Sequence, residues 1–255
     1  MDSYLSTLLL SFLIYIFVEL LFREWVMKCT SKISPPFSDY YLNIWRPITI
    51  LSPGLLVSGN CKELIKKEFP YGKIRRKREL AKFIKASNCW NLILSFFLLC
   101  ITLFLQANNL LLDLFKAFVM WRYISRSFEI TIAFSKDILT SESASSLDNH
   151  ARMKLAIRSY FEIFIYSSAF YSAFSCDMLT IFEPVLISLF VGTLTNLSGA
   201  IDSLTQCCIL SNDSTSWIFL LRCSVYIQVF ATLSLIFFGF AGYLSRVKSD
   251  KKIIS

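Results

Sequence analysis

The chain has 255 residues, of which 55% are hydrophobic; its mean hydropathy is +0.56 and its formal net charge is +8. Soluble domains are about 45–50% apolar, so this composition indicates an integral membrane protein. Seven glycines and six prolines argue against a disordered or fibrous chain. A single histidine, His150, cannot form a metal site or catalytic triad alone, and the sequence has no phosphate-binding loop or nucleophile elbow. We therefore expect neither an enzyme nor a cofactor.

Five apolar runs predict membrane-spanning helices. The first, Tyr4–Phe22, is too long for the apolar part of a signal peptide, and it lacks a preceding positive segment and a following small-residue cleavage site. It is therefore expected to be a retained transmembrane helix. The second and third runs are separated by three residues, which predicts a tight hairpin at the membrane surface. The four later runs are 91–106, 110–121, 156–174 and 217–244.

Lysine and arginine are distributed unevenly, and this asymmetry predicts the topology. Fourteen of the 26 lie between Arg23 and Lys85, seven lie between Lys116 and Arg158, and none lies from Ser159 to Leu221. Basic residues near helix ends stay in the cytoplasm. The start of the chain is therefore expected outside and its C-terminus inside, in a multipass protein of the bacterial inner membrane. The charge distribution favours five full spans; four would follow if the second and third runs formed one incomplete hairpin.

The apolar segment around residue 190 is predicted to enter the bilayer and return on the same side. A full span at Val185–Ile201 would place a stretch without bases in the cytoplasm and the basic tail outside, against the charge rule. A helix over Val185–Thr195, about 17 Å long, reaches half-way across. Glu183 and Pro184 suit its start, because proline fits the first helical turn and an acid fits the positive helix end. The polar residues that follow are expected to be non-helical and to line a cavity or a subunit interface.

This order of elements, and the residues themselves, resemble a known family. ISLFVGTLTNLSGAID, from Ile187 to Asp202, resembles the pore stretch of the voltage-gated-like potassium channel superfamily. RSYFEIFIYSSAFY and QVFATLSLIFFGFAGYLSR resemble the outer and inner helices of small bacterial channel-like proteins. The resemblance covers residues 154–246. It implies an all-α, multipass transmembrane helical bundle with a re-entrant pore-helix-like segment, assembled about a central axis as a tetramer.

The candidate filter departs from the family pattern. The family's potassium filter uses backbone carbonyls, which two glycines help to point inward. Ser198 and Ala200 stand at the positions of these glycines and would resist that conformation. We therefore expect the scaffold with a less selective or closed mouth, and no potassium-selective filter. The filter-like residues are Thr193, Thr195, Asn196, Leu197, Ser198, Gly199 and Ala200.

Two further sets of residues are candidates for a pore. Four acids in the base-free stretch either concentrate cations at a channel mouth, as acidic rings do, or are solvated loop residues. Polar residues spaced by four on the last helix either face a water-filled pore or pack against other helices, and a glycine beyond them is either a hinge or a packing position. The acids are Asp177, Glu183, Asp202 and Asp213, and the stripe comprises Ser224, Gln228, Thr232 and Gly239.

Several charges fall inside or beside the apolar runs. Glu19 lies near the inner end of the first run. A helix is expected to continue past Trp121, where Arg122 and Arg126 are interpreted as a topology signal at the inner membrane edge. A voltage sensor would need several regularly spaced arginines within the membrane. The expected helical ion pairs are Arg158 with Glu162, Asp113 with Lys116, and Arg126 with Glu129.

The segment from Lys62 to Lys85 contains ten bases and three acids, and its net +7 nearly equals the charge of the whole chain. Beside a membrane, such a cluster is typical of a contact with anionic lipid headgroups, at about 1 kcal/mol per base near the surface. A cytoplasmic protein is an alternative partner. Nucleic acid would use similar electrostatics, but no nucleic-acid-binding module is recognisable. The candidate binding residues are Lys73, Arg75, Arg76, Lys77 and Arg78.

These patterns divide the chain into three parts. Residues 1–90 form a transmembrane helix with a basic cytoplasmic segment, 91–153 a transmembrane hairpin with a cytoplasmic helix and linker, and 154–255 a pore-domain-like module with a cytoplasmic tail. We expect passive ion passage through a homo-oligomeric pore. The alternative is a non-conducting membrane anchor, sensor or effector, for example in stress or phage defence, that binds a cytoplasmic partner. A disulfide among Cys176, Cys207 and Cys208 fits the outer side.

Overall fold

The computed structural model describes residues 2–31, 52–70, 73–139, 146–174, 180, 182–210 and 215–241. These ranges are mostly helical and contain no strand, which confirms the predicted all-α fold for this part of the chain. The helices are α1 (Asp2–Ser31), α2 (Pro53–Glu68), α3 (Lys73–Ala107), α4 (Asp113–Leu139), α5 (Asn149–Phe174), α6 (Glu183–Gly192), α7 (Leu197–Leu210) and α8 (Thr215–Ser234), which continues as a π-helix over Leu235–Ala241.

Three helical segments have the length and hydropathy of membrane spans: Leu5–Ser31, Ile74–Ala107 and Ile218–Gly239. Many of their large apolar side chains point outward; Leu13 and Phe219, for example, are 63% and 70% exposed. Such an exterior is unfavourable in water but suits lipid, since soluble proteins rarely expose large contiguous apolar patches. The protein is therefore membrane-embedded.

Four long helices, α1, α3, α5 and α4, pack in that order around a common centre. The consecutive helices α3 and α4 lie on a diagonal, and each packs mainly against α1 and α5. The predicted tight hairpin is therefore a chain reversal over residues 108–112 without a packed helix pair. Asn109 makes this reversal with a φ of 54°, a left-handed conformation that asparagine tolerates better than most residues.

The helices alternate in direction. α1, α4 and α8 run one way, while α3 and α5 run the other way. The turn at Asn109 therefore lies at one end of the bundle, the Asn109 end, and the start of α3 lies at the other, the basic end. The predicted five membrane spans would require this alternation of directions. The contacts that set the directions are Tyr15–Ser125 and Arg23–Glu129 for α1 with α4, Asn88–Ser159 and Asn91–Tyr166 for α3 with α5, Arg122–Tyr166 and Asp137–Arg152 for α4 with α5, and Tyr123–Ser224 and Ala156–Gly239 for α8.

α6 and α7 form a short hairpin that turns in the middle of the bundle. α6 runs antiparallel to α5, and it ends where the carbonyl of Gly192 accepts a hydrogen bond from the Tyr160 hydroxyl at 3.1 Å. Tyr160 precedes the last residue of α5, Phe174, by 14 residues. The turn therefore lies about 21 Å from the Asn109 end of α5, at 1.5 Å per residue.

The backbone that follows this turn differs from the predicted non-helical segment. The sequence predicts non-helical backbone over Asn196–Ala200. Instead, Leu194 takes a left-handed φ of 58° and α7 begins at Leu197. The Asn196 side chain accepts the Gly199 N–H at 3.0 Å, and an asparagine in this position caps a helix N-terminus. The expectation of non-helical backbone is therefore wrong for residues 197–200, because this cap returns the chain to a helix within one turn.

At the basic end, α2 packs alongside α1 and α3. Val57, Leu64 and Ile65 of α2 form an apolar cluster with Met27 of α1 and Phe83 of α3. α2 begins beside the bundle and ends near the start of α3. The end of α2 and the start of α3 therefore project together beyond this apolar cluster. This cluster fixes the part of α3 that carries the basic segment.

Two glycines in different surroundings give opposite predictions. A Cβ added to Gly239 would lie 2.9 Å from the Cβ of Ala156, so this glycine allows α8 and α5 to pack closely, whereas one added to Gly59 of α2 meets nothing within 4 Å. We expect Gly239→Ala to lower the thermal unfolding temperature in detergent. Gly59→Ala should raise it, because alanine is favoured over glycine in helices by about 0.5–1 kcal/mol. Equal stabilisation by both changes would contradict the close packing of α8 on α5.

Candidate functional site

Six charged side chains meet inside the bundle toward its basic end. None of them is more than 6% exposed. Three are positive and three negative, so the group carries no net charge when all are ionised. The helices α1, α4 and α5 contribute these residues. They are Glu19, Arg23, Arg122, Arg126, Glu129 and Glu162, and we call them the charge chain.

Arg23 of α1 stands at the middle of the charge chain. Its Nε donates to Glu19 at 2.7 Å, and its Nη2 donates to both carboxylate oxygens of Glu129 at 2.8 Å. Glu19 also accepts a hydrogen bond from Arg122. The planar guanidinium offers five donors in fixed directions, which suits it to bridging two carboxylates. These contacts join α1 to α4.

Arg126 extends the charge chain from α4 to α5. Its Nη1 lies 2.7 Å from Glu129, and its Nε and Nη2 donate to the two oxygens of Glu162. Paired, doubly hydrogen-bonded contacts of this kind are among the stronger ones in proteins. The remaining arginine donors bind neutral groups: the Tyr166 hydroxyl of α5, the Ser87 hydroxyl of α3 and the Asn91 side-chain carbonyl of α3.

The N-terminus of α2 lies against the same carboxylates. Ser52 donates to the backbone carbonyl of Ser125 at 2.9 Å. A Cβ added to Gly54 would lie 3.1 Å from Glu129 and 3.2 Å from Glu19. The positive end of a helix stabilises negative charge, and glycine lets the backbone approach closely enough to do so. α2 is therefore docked on the charge chain.

Lys62 of α2 interacts electrostatically with residues of the charge chain. Burial lowers the pKa of its ammonium group, Arg23 and Arg126 lower it further, and Glu129 opposes them. The unfolded chain therefore binds this proton more tightly than the folded chain does. By linkage, the contribution of Lys62 to stability rises as the pH increases from the lowered pKa toward that of a free lysine.

The charge chain joins the helices because its members cannot be left unpaired. Removing a charge from water costs free energy, and contacts with its partners offset this cost when geometry and hydrogen bonding are good. Each of the three arginines here contacts at least one carboxylate of a neighbouring helix. The arrangement thereby fixes the register of α1, α4 and α5, with α3 held through its neutral acceptors.

The structure changes the partners that the sequence predicts. Glu162 binds Arg126 of the neighbouring helix, whereas Arg158 on its own helix is exposed, so the expected Arg158–Glu162 pair is wrong. Arg122 and Arg126, predicted to mark the membrane edge, are instead buried among the helices. The signals that could have indicated this site are the acids Glu19 and Glu162 within apolar runs. Of the other expected pairs, Arg126–Glu129 is confirmed, and no ion pair joins Asp113 to Lys116 in the described part of α4.

The predicted polar stripe of α8 packs inside the chain. The side chain of Gln228 accepts from the Tyr171 hydroxyl at 2.8 Å and donates to the backbone carbonyl of Ser188 at 2.9 Å. Ser224 and Thr232 are each only 2% exposed. Of the two interpretations that the sequence allows, helix packing describes the geometry within one chain.

A different polar stripe is exposed, and it joins four predicted filter-like residues and the predicted acid Asp202 with Gln206, which the sequence pattern did not indicate. Ser198, Asp202 and Gln206 of α7 are spaced by four and exposed, while Ala200 and Leu204 pack on the apolar core shared with α8. The spacing is visible in the sequence, but the segment was interpreted as non-helical. Together with the exposed residues of the turn, these side chains run from mid-bundle toward the Asn109 end. The hairpin stripe, as we call it, comprises Thr193, Thr195, Asn196, Ser198, Asp202 and Gln206.

The predicted external acids have different surroundings. Glu183 accepts the backbone N–H of Thr180 at 2.7 Å and thereby holds the chain that enters α6, where Pro184 occupies the first turn as predicted. Asp202 is exposed on the hairpin stripe. The acids Asp177 and Asp213, and the disulfide expected among Cys176, Cys207 and Cys208, lie outside the described residues and side chains.

No protein-family model, curated protein or solved structure matches this chain. The resemblance to a pore domain therefore rests on the quoted sequence segments alone, and function has to be argued from the geometry. Within the described residues, no group of three or more histidine, cysteine, aspartate or glutamate side chains could hold a metal ion.

Substitutions at two arginines test the partner of Glu162. Arg126→Gln leaves Glu162 without its arginine, so we expect a loss of about 3–5 kcal/mol in the free energy of unfolding. Arg158→Gln, which changes an exposed residue, should stay within about 0.5 kcal/mol of the parent. The double variant Arg126→Gln/Glu162→Gln should be more stable than Arg126→Gln alone. Chemical denaturation in mixed micelles measures all three; a larger loss for Arg158→Gln would contradict the assignment.

Proposed function

We propose that the protein is a channel-like integral membrane protein that passes cations through an assembly of several copies. The observation that carries this proposal is the hairpin stripe, whose turn lies about 21 Å from the Asn109 end of α5. The hydrocarbon core of a bilayer is about 30 Å thick. In a chain that spans the bilayer, the exposed polar turn would be at membrane depth, which supports the proposal that α6 and α7 form a re-entrant hairpin.

Polar groups at that depth need water or protein around them. Neighbouring copies that bring their hairpin stripes to a shared axis would supply both, and a tetramer agrees with the resemblance to the pore-domain family. Asp202 would give such an axis negative charge and so favour cations. The carbonyls of α7 are engaged in helical hydrogen bonds, so side-chain hydroxyls and amides would contact the ions. We therefore propose weak selectivity among monovalent cations.

The orientation follows from the distribution of bases. Lys and Arg are concentrated at the basic end, and positive residues stay in the cytoplasm. We propose that the Asn109 end faces outward and that the membrane is the inner membrane of a bacterium. The hairpin stripe would then open to the outer side.

A non-conducting membrane anchor or effector is the second candidate, and a specific observation supports it. The polar residues of α8 are sealed by contacts within the chain, and the charge chain is neutralised internally. A single copy therefore has no polar path through the described part of its bundle. If copies do not assemble through the hairpin stripe, anchoring is the function that remains.

Two acids of the hairpin separate conduction from folding. In planar bilayers, we expect Asp202→Asn to reduce the cation current at least twofold at about 0.1 M salt, and less at 1 M salt because charge effects are screened. Glu183→Gln is the matched control. It removes the same charge, but from the start of α6 outside the hairpin stripe, so the unitary current should remain that of the parent.

The oligomeric state decides between the two candidates. Native mass spectrometry of the parent in detergent or nanodiscs is expected to show a closed oligomer. An oligomer that carries no current under any applied voltage would contradict conduction and favour the anchor. A monomer that also fails to conduct would contradict the proposed assembly of copies through the hairpin stripe.

A further inference from the structure

The basic residues at the start of α3 lie far from the membrane boundary at the basic end of the bundle. Trp25 and Trp90 pack edge to face, with ring centroids 4.6 Å apart, and both are about two-fifths exposed. Tryptophan side chains of this kind collect at membrane interfaces. Of the described large apolar side chains between Trp25 and Trp90 in the sequence, only that of Ile74 is strongly exposed. The pair therefore marks the membrane boundary at the basic end.

The distance of the bases from this boundary follows from helix geometry. The four consecutive bases 75–78 precede Trp90 by 12 to 15 residues of continuous helix, or about 18–22 Å at 1.5 Å per residue. A tilt of about 40°, the upper end for membrane helices, would still leave about 14–17 Å. We call Arg75, Arg76, Lys77 and Arg78 the basic tip.

The basic tip cannot bend back to the membrane without breaking contacts. The guanidinium of Arg75 lies 4.7 Å from the ring centroid of Phe69, at the end of α2. The backbone N–H of Ser146 donates to the carbonyl of Lys77 at 3.2 Å. The apolar cluster of α1, α2 and α3 holds the rest of this segment straight.

The charge of the basic tip is available for a partner. Arg75 and Arg78 are exposed, and Arg76 and Lys77 are half-buried. Two of the neighbouring acids are engaged elsewhere, because Glu63 binds Lys66 and Glu79 binds Lys82. The side chain of Lys73, also predicted to bind, is outside the described part.

Distance decides against the lipid headgroups as the partner. The attraction of a base to an anionic leaflet falls off within a Debye length, about 8 Å at physiological ionic strength. The basic tip lies about twice as far away. We propose that the basic tip binds an acidic segment of a soluble cytoplasmic protein. This inference goes beyond the proposed conduction and does not depend on it.

The shape of the basic tip favours a peptide over a nucleic acid. Its four bases occupy about one helical turn and point in different directions, about 100° apart. Even single nucleic-acid-binding modules bury about 600–1,000 Å², and they align their bases along one face. A short acidic segment can wrap around a single turn and contact several of these bases.

Binding of a labelled 20-residue polyglutamate peptide to the full chain in zwitterionic nanodiscs tests the proposal. The tip variant R75Q/R76Q/K77Q/R78Q should weaken binding at least tenfold. The matched control K28Q/K85Q/K154Q/R158Q removes the same number of charges from exposed positions near the tryptophan level and should weaken it less than threefold. Equal losses in both variants would overturn the proposal, as would a 20-base-pair duplex that binds the basic tip more tightly than the peptide does.

A second measurement locates the tip directly. A fluorophore introduced by an unnatural amino acid at position 78, in nanodiscs with anionic lipid, should not respond to a quencher attached to lipid headgroups. The same fluorophore at position 85 should be quenched. Quenching at position 78 would place the tip at the headgroups and overturn binding of a soluble partner. Both measurements are independent of current, so their failure leaves the proposed conduction untouched.

Discussion

The cost of leaving a charge unpaired away from water is the constraint on which this bundle depends. Three arginines and three glutamates alternate through α1, α4 and α5, and each needs a partner on another helix or one turn away. This requirement explains the arrangement of the long helices. α4 carries Arg122, Arg126 and Glu129, so it has to lie between α1 and α5, which carry the complementary groups. α3, although consecutive with α4, supplies neutral acceptors and lies opposite it.

The same constraint accounts for the exterior. α4 and α5 are not among the helices that qualify as spans by hydropathy, but their members of the charge chain face inward and are buried among the helices. The three apolar helices can then expose leucine and phenylalanine without any need for a polar face. A soluble bundle places apolar groups inside and charges outside; this one satisfies its charges inside and leaves its apolar groups for lipid.

Local signals were readable in the sequence, whereas contacts between distant residues were not. Apolar runs predict the long helices, and Pro184 with Glu183 predicts the start of α6, because these features act within a few residues. The partner of Glu162 depends on which helix lies beside α5, so the nearby Arg158 was a plausible but wrong choice. The helix α7 had a local signal, the asparagine cap at Asn196. The resemblance to a pore domain instead favours non-helical backbone over this segment.

The location of polar groups explains why assembly is central to the proposed function. Inside one chain, Gln228 and the charge chain are satisfied by their own neighbours, so a water path there would have to break existing hydrogen bonds. On the hairpin stripe the polar groups already point outward, and no internal contact has to be lost to hydrate them. The turn is fixed at its depth by the bond from Tyr160 to Gly192, on the same helix that Glu162 anchors to α4. The ion pairs at the basic end thus position the polar surface that, in the proposed assembly, neighbouring copies would hydrate.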